Sequence, residues 1–209
     1  MSVTPEQTLD PAGVLRVVAH DLRQPLSTIE SISYYVRLVV PHDDFRALEQ
    51  LAQIERLIQQ CDWILSSALQ LTQSEPAGLE SFDLEEMLTK TLAARSAAGE
   101  DLPTLKLAGA LPALQINPLQ MSGLLEIALT LFQQISGGPG AFAVATQPAR
   151  GGVRLSFSTT KAGYGAENAL GNGSGLALSA LRRIVESNRG SLDLKIDPVS
   201  GVTMHLVLP

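Results

Sequence analysis

The residues of this sequence that could do chemistry are concentrated in residues 17–29, VVAHDLRQPLSTI. His20 has an acid, Asp21, beside it, and Gln24 follows one helical turn later, within reach of an i,i+4 contact. A neutral imidazole can act as a nucleophile, and an adjacent carboxylate can orient its ring. The stretch therefore predicts a nucleophilic histidine with an orienting acid and a polar neighbour that places a second reactant.

Pro25 adds to this prediction because it stands inside a segment that otherwise has a helical pattern. Proline within a helix removes one backbone hydrogen bond and crowds the carbonyl of residue i−4, here Asp21, at a cost of roughly 3 kcal/mol that usually produces a kink. The alternative is that His20 is a solvated residue of a soluble helix and has no task.

A first helix, from about residue 10 to residue 40, is predicted to position these side chains. Its apolar residues alternate in steps of three and four if Pro25 fills one place, which is the pattern of a coiled-coil or bundle seam. His20 falls on the opposite side of the helix and is expected to be exposed. The seam residues are Leu15, Val18, Leu22, Ile29, Ile32, Val36 and Val39.

A second helix is predicted to follow the turn PHDD at residues 41–44, with Asp43 or Asp44 as its cap, and to end near residue 73. Its apolar positions form two adjacent rows, and a surface that wide cannot be covered by one two-helix hairpin. We therefore expect a homodimer that forms a four-helix bundle. The rows are Ala47, Leu51, Ile54, Ile58, Cys61, Leu65 and Ala68, and beside them Leu57, Ile64 and Leu71.

The segment AHDLRQPL resembles the phosphoacceptor box of sensor histidine kinases, whose first hairpin helix carries His, then Asp or Glu, with Pro five residues after the His. The resemblance implies that His20 carries a phosphoryl group and that Asp21 orients its ring and manages its proton. It also implies that Gln24 belongs to the catalytic set, and that Arg23 and Pro25 face the partner.

Residues 74–81, SEPAGLES, have the composition of a linker, so the sequence predicts two domains, residues 1–75 and residues 82–209. The second should be an α+β sandwich of helices on a mixed or antiparallel sheet. Its first helix is expected from Asp83, with Glu86 as reciprocal cap, to about Gly99. The second should run from Asn117-Pro118 to Gly137-Gly138. The third should run from Ser174 to about Asn188, and Gly190 should end it. Strands are expected at residues 104–108, 113–116, 141–147, 153–158, 191–196 and 202–208; the turn PARGG separates the third from the fourth.

The whole second segment resembles the ATP-binding domain of histidine kinases. LPALQINPLQMSGLLEIALTLF is similar to the strand and helix that carry the asparagine box, NGSGLALSALRRIVESNRGSLDL to the second glycine box and its helix, and GVTMHLVLP to the terminal strand. Two histidine-kinase domains in the usual order are therefore implied.

The sequence departs from this family pattern where the chemistry is most demanding. The asparagine that holds magnesium aligns with Leu131, beside Thr130, and leucine offers no oxygen to a hard cation. The uncharged run Phe132-Gln133-Gln134 replaces a basic residue, and Thr159 or Ser158 stands where an aspartate accepts the adenine amino group.

A degenerate glycine loop remains at Gly171, Gly173 and Gly175. These glycines either cradle a phosphate at a helix N-terminus or simply form the loop and allow close helix–sheet contact. Because the metal ligand, the acid and the basic residue are all missing, we expect no bound cofactor in this domain and no protein metal site.

Composition excludes several other classes of protein. The chain has 209 residues, 45% of them hydrophobic, a formal charge of −6 and no apolar run of bilayer length or signal-peptide pattern, so a cytoplasmic protein that binds neither nucleic acid nor membrane is expected. Cys61 is expected to be a small core residue, and His205 to be solvated or satisfied locally.

The function that these features indicate is two-component signalling. The favoured hypothesis is a histidine phosphotransfer protein that passes a phosphoryl group between His20 and an aspartate of a response-regulator receiver domain, with magnesium supplied by the partner. One alternative is an ATP-dependent histidine kinase core with an aberrant nucleotide site, which would bind ATP and magnesium. Another is a non-enzymatic dimeric scaffold that sequesters a regulator, with His20 idle.

Overall fold

The chain divides into two compact units, Met1–Gln73 and Ser74–Pro209. A computed structural model describes residues 11–72, 78–137, 141–160, 174–197 and 201–209. The first unit is the predicted helical hairpin, with α1 at Pro11–Val39 and α2 at Phe45–Thr72. Of the two candidate caps of α2, Asp44 is the one whose Oδ1 accepts a hydrogen bond from the backbone N–H of Ala47, at 3.0 Å.

The residues of α1 that the hairpin buries are not those of the predicted seam. On α1, Ala19 and Ser33 are buried, and on α2, Leu51 and Ile58 are buried. The Arg37 guanidinium donates to both carboxylate oxygens of Glu55, at 2.9 and 2.8 Å, and so ties the two helices together.

The predicted seam of α1 is largely exposed in the single chain, with Leu15 and Val36 half-buried. Five of its residues are 42–60% exposed: Val18, Leu22, Ile29, Ile32 and Val39. On α2, Ile54 and Leu57 are also exposed. One hairpin therefore leaves a continuous set of large apolar side chains in contact with water.

The expectation that Cys61 is a core residue is wrong for the single chain, in which Cys61 is exposed. The residue lies on an apolar row of α2, but that row extends beyond the side that α1 covers. An apolar helical pattern marks a surface that excludes water in some assembly, and it does not say which neighbour covers it.

The second unit contains seven strands and three helices in its described part. The helices are α3 at Leu84–Ala97, α4 at Pro118–Ser136 and α5 at Ser174–Ser187. The strands are β1 at Glu80–Phe82, β2 at Thr104–Lys106, β3 at Leu114–Ile116, β4 at Ala143–Ala149, β5 at Gly152–Thr159, β6 at Ser191–Asp197 and β7 at Gly201–Leu208.

Five of these strands form one sheet in the order β2-β4-β5-β7-β6, in which β2 runs parallel to β4 and the other neighbours are antiparallel. The remaining two, β1 and β3, form a separate antiparallel pair. One face of the sheet is apolar, and the helices α4 and α5 pack on its strands. The alternating buried residues of that face include Val153, Leu155 and Phe157 on β5 and Val202, Met204, Leu206 and Leu208 on β7.

The predicted caps of this unit are largely confirmed. Asp83 accepts hydrogen bonds from the backbone N–H groups of Glu85 and Glu86, and Asn117 caps α4 in the same way, with Pro118 as its first residue. Gly137 ends α4 in the left-handed conformation, with φ of 80°.

Three local predictions need correction. The Glu86 carboxylate does not close a capping box and accepts instead from Lys90, at 2.6 Å, because this i,i+4 partner is within reach on the same helix face. The predicted turn PARGG is shorter, since Pro148 and Ala149 pair with Val153 and Gly152 within the β4–β5 ladder.

The end of α5 also differs from the prediction that Gly190 ends the helix. Arg189, with φ of 60°, takes the left-handed position there. The glycine is needed next to it for a different reason: a Cβ on Gly190 would lie 2.2 Å from the carbonyl oxygen of Val207.

The predicted fold class, a helical hairpin followed by an α+β sandwich, is confirmed. The four-helix bundle of two copies stays a prediction. Within the described residues, no helix combines the length and the apolar composition needed to cross a bilayer.

Candidate functional site

His20 lies on α1 with its side chain 71% exposed. Its Nδ1 is 3.1 Å from Oδ1 of Asp21, whose own side chain is 67% exposed. The structure therefore brings together the two residues that the sequence singled out, on the side of the helix that faces water.

This contact has a direct chemical consequence. A carboxylate can only accept, so a neutral imidazole in this pair carries its proton on Nδ1, and the lone pair of Nε2 is left for chemistry. If Nε2 bonds to an electrophile, the ring becomes cationic and Asp21 is already placed beside the charge. This arrangement suits a nucleophile with an orienting and charge-balancing neighbour.

Gln24 and Pro25 lie one turn further along α1 and are both exposed. The helix continues through Pro25. Proline has no N–H, so the carbonyl of Asp21 lacks its usual i+4 donor, while Thr28 donates its hydroxyl to the carbonyl of Gln24, at 3.0 Å. The backbone immediately after His20 therefore lacks one of the regular i,i+4 hydrogen bonds of the helix.

Arg23, which was predicted to face the partner, contacts α2 within the chain, and its side chain is 41% exposed. Its Nε donates to Asp62 at 2.8 Å, and its Nη2 donates to Ser66 at 2.8 Å, both on α2. It therefore braces the hairpin at the level of His20.

Asp62 and Ser66 are the residues of this region that sequence reasoning missed. A signal was present, because a hairpin that turns at residues 40–44 places position 23 opposite positions 62–66. An arginine opposite an aspartate on a facing helix is a plain candidate for an ion pair.

In the second unit, the position that aligns with the family's magnesium ligand is closed to solvent. Leu131 is fully buried in α4. The neighbouring Thr130 is within 3.4 Å of the Arg95 guanidinium, which also donates to Gln133 at 2.9 Å. Neither Leu131 nor its neighbours present a free oxygen set for a hard cation.

The position of the adenine-binding acid is occupied by Thr159, which is buried at the end of β5. Its hydroxyl donates to the carbonyl oxygen of Ala141 at 3.0 Å. The other candidate, Ser158, is exposed. A hydroxyl that donates to a backbone carbonyl does not replace a carboxylate as an acceptor. Thr159 therefore does not fit the adenine amino group, and the buried Leu131 does not fit magnesium.

The helix–sheet interface next to Leu131 is filled by aromatic rings. The ring of Phe132 packs 5.3 Å from that of Phe157 and 6.0 Å from that of Phe142, measured between centroids. In the described residues, no three His, Cys, Asp or Glu side chains come together in a way that could hold a metal ion.

The predicted glycine loop is described only in part. Gly171 and Gly173 lie outside the described residues. Gly175 lies in the first turn of α5, and a Cβ there would have no neighbour within 4 Å. His205 is satisfied locally, as predicted, because its Nδ1 is 2.8 Å from the hydroxyl oxygen of Ser156.

Comparison with known proteins gives relatives but no family model that matches this chain. The chain is 28% identical over 208 residues to the sensor histidine kinase ZraS of Klebsiella oxytoca, and 26% identical over 207 residues to ZraS of Escherichia coli K12. Each alignment covers 92% of this chain and 44% of the relative. The chain thus spans less than half the length of the curated relatives it matches.

Solved structures with the same fold include full-length ShkA in complex with AMPPNP, with a TM-score of 0.62, 17% identity, and coverage of 99% of this chain and 46% of that chain. The histidine kinase AdeS of Acinetobacter baumannii gives a TM-score of 0.55 at 16% identity, covering 90% of this chain and 96% of that chain. The resemblance to a histidine kinase core is therefore confirmed for sequence and for fold.

Proposed function

We propose that this protein is a histidine phosphotransfer protein of two-component signalling, in which His20 exchanges a phosphoryl group with an aspartate of a response-regulator receiver domain. The observation that carries the proposal is the His20–Asp21 pair, in which Nδ1 lies beside the carboxylate and the His20 side chain is 71% exposed. The likeness to sensor histidine kinases over both units supports the choice of partner.

In the transfer step, the Nε2 lone pair of His20 attacks the phosphorus of the receiver's aspartyl phosphate. The N–P bond forms as the P–O bond to the aspartate breaks, and the aspartate leaves as a carboxylate. The imidazole ring keeps its Nδ1 proton and becomes positively charged, which Asp21 balances at 3.1 Å. Gln24, which is exposed one turn away, would orient the incoming group.

Phosphoryl transfer depends mainly on positioning and on neutralising charge. The receiver domain supplies the magnesium ion that neutralises the phosphoryl oxygens. The second unit does not need to bind a nucleotide in this reaction. Its buried Leu131 and its backbone-bonded Thr159 are compatible with that role.

We further propose that the protein acts as a homodimer in the cytoplasm and that the exposed apolar residues of α1 and α2 form the contact between copies. Side chains such as Ile32, at 57% exposed, and Val39, at 60%, would otherwise remain in water. Two hairpins packed through these faces make a four-helix bundle and leave His20 on the outside.

A second candidate function is an ATP-dependent histidine kinase core with an aberrant nucleotide site. The alignment with ZraS favours it, because that alignment covers 92% of this chain and so includes both units. Under this function the second unit would bind ATP and magnesium and label His20 itself.

Incubation of the full chain with a phosphorylated receiver domain, and separately with ATP and magnesium, tests these candidates. We expect an acid-labile, base-stable phosphoryl group from the receiver and none from ATP. His20→Gln should abolish labelling and change the free energy of unfolding by less than about 1 kcal/mol, because the side chain is exposed.

Labelling by ATP alone would favour the kinase core. If the receiver binds wild type and His20→Gln equally and never labels the wild type, the phosphotransfer proposal is wrong and a sequestering scaffold is the better account. The matched control is His42→Gln at the tip of the hairpin, which should leave labelling unchanged.

A further inference from the structure

The carboxylate of Glu85 is held by three donors within the second unit. The backbone N–H of Ala108 donates to its Oε1 at 2.8 Å, and the N–H of Gly109 lies 3.2 Å from Oε1 and 3.1 Å from Oε2. The hydroxyl of Thr146 also donates to Oε1. Helix α3, the segment after β2 and strand β4 thus meet at one carboxylate.

The donors form a concave anion-binding arrangement. Two consecutive backbone N–H groups that point to the same place form a nest, which favours an oxyanion through partial positive charge. Gly109, with φ of +77°, has the left-handed conformation that such a turn uses. Thr146 is 2% exposed and also accepts from Ala108 N–H at 3.0 Å, which fixes its hydroxyl toward the carboxylate.

The neighbouring glutamate provides an internal contrast. Glu86 follows Glu85 in the same first turn of α3, but its carboxylate pairs with Lys90 in water, with side chains 63% and 74% exposed. The two glutamates therefore have different partners although both lie in the first turn of α3, and only Glu85 reaches the nest.

We propose that Ala108, Gly109 and Thr146 form a carboxylate-binding site and that Glu85 is its intramolecular ligand. The contact fastens β2, which has three exposed residues and, among the described strands, pairs only with β4. The ligand class of the site is a small carboxylate. When the Glu85 side chain is removed, a small carboxylate from solution can bind in its place.

The test uses the full chain with Glu85→Ala and the matched control Glu86→Ala. Hydrogen exchange by mass spectrometry should show residues 104–110 exchanging about 10-fold faster or more in Glu85→Ala, with little change in the control, because only Glu85 accepts hydrogen bonds from the backbone N–H groups of Ala108 and Gly109. Sodium formate should then slow this exchange again, up to a plateau, relative to sodium chloride at the same ionic strength.

Thr146→Val combined with Glu85→Ala should weaken or abolish the formate effect, because one donor of the site is gone. If Glu85→Ala does not fold, Glu85→Gln serves in its place, since its amide sets a donor against the Gly109 N–H and should accelerate the same exchange to a smaller extent. Equal exchange in the Glu85 and Glu86 variants, or equal slowing of both by formate, would overturn the proposal.

Discussion

His20 owes its accessibility to its place on α1, away from both α2 and the apolar face of the helix. The sequence was sufficient to predict its pairing with Asp21, because adjacent residues on an exposed helix turn remain close whatever packs elsewhere. Arg23 could not be assigned in the same way, since a long side chain takes the partner that the facing helix offers. Its contacts with Asp62 and Ser66 depend on the register of the hairpin.

Asp21→Asn should slow phosphoryl transfer to His20 by roughly 10- to 1,000-fold, the range for a positioned acid–base group. The amide can donate to Nδ1, which moves the imidazole proton to Nε2 and removes the nucleophilic lone pair. Rapid-mixing measurements of transfer from a phosphorylated receiver domain check this. Affinity for the receiver should stay the same, and an unchanged rate would show that Asp21 has no part in the step.

The helices and strands follow from local patterns to a large extent. Both long helices begin and end within about two residues of the predicted bounds, because apolar spacing, caps and breakers act within a few residues. Strand β1 was missed, since three residues paired with the distant β3 carry no period of their own. The side of α1 that meets α2 was also not predictable, because its apolar surface is wide enough for two neighbours.

The Ile32→Glu substitution distinguishes the two faces of α1. In a lone hairpin this position is 57% exposed and a carboxylate there would be tolerated. In the proposed dimer it would be buried without a partner, at a cost of several kcal/mol, so we expect dissociation in sedimentation experiments at micromolar concentration.

Two variants control this experiment. Ser31→Glu adds the same charge at the adjacent exposed position, on another side of the helix, and should leave the dimer intact. Ile32→Val should have little effect on dimerisation, because valine keeps the position apolar. A wild-type protein that sediments as a monomer would show that the proposed dimer is wrong.

The two units of the molecule differ in what their residues indicate about function. The hairpin carries the exposed His20–Asp21 pair. The second unit has the fold, with Leu131 and Thr159 at positions that the resemblance associates with nucleotide binding. Leu131 and Thr159 were recognisable from the sequence as departures. Their burial, and the packing of Phe132 on Phe142 and Phe157, depend on the folded core and required the structure.

We predict that the second unit does not bind magnesium–ATP with a dissociation constant below about 1 mM, which corresponds to roughly 4 kcal/mol of binding free energy. Isothermal calorimetry on the full chain measures this. Leu131→Asn alone should not restore binding, because the acid at Thr159 and the basic residue are also missing. Tight binding to the wild type would instead support the kinase-core function.

The most direct test of the phosphotransfer function identifies the atom that carries phosphorus. After labelling by a phosphorylated receiver domain, nuclear magnetic resonance of the ¹⁵N-histidine-labelled protein should show phosphorus bonded to Nε2 of His20, because Asp21 holds Nδ1 at 3.1 Å. Phosphorus on Nδ1, on His42 or His205, or on no histidine at all would contradict the account.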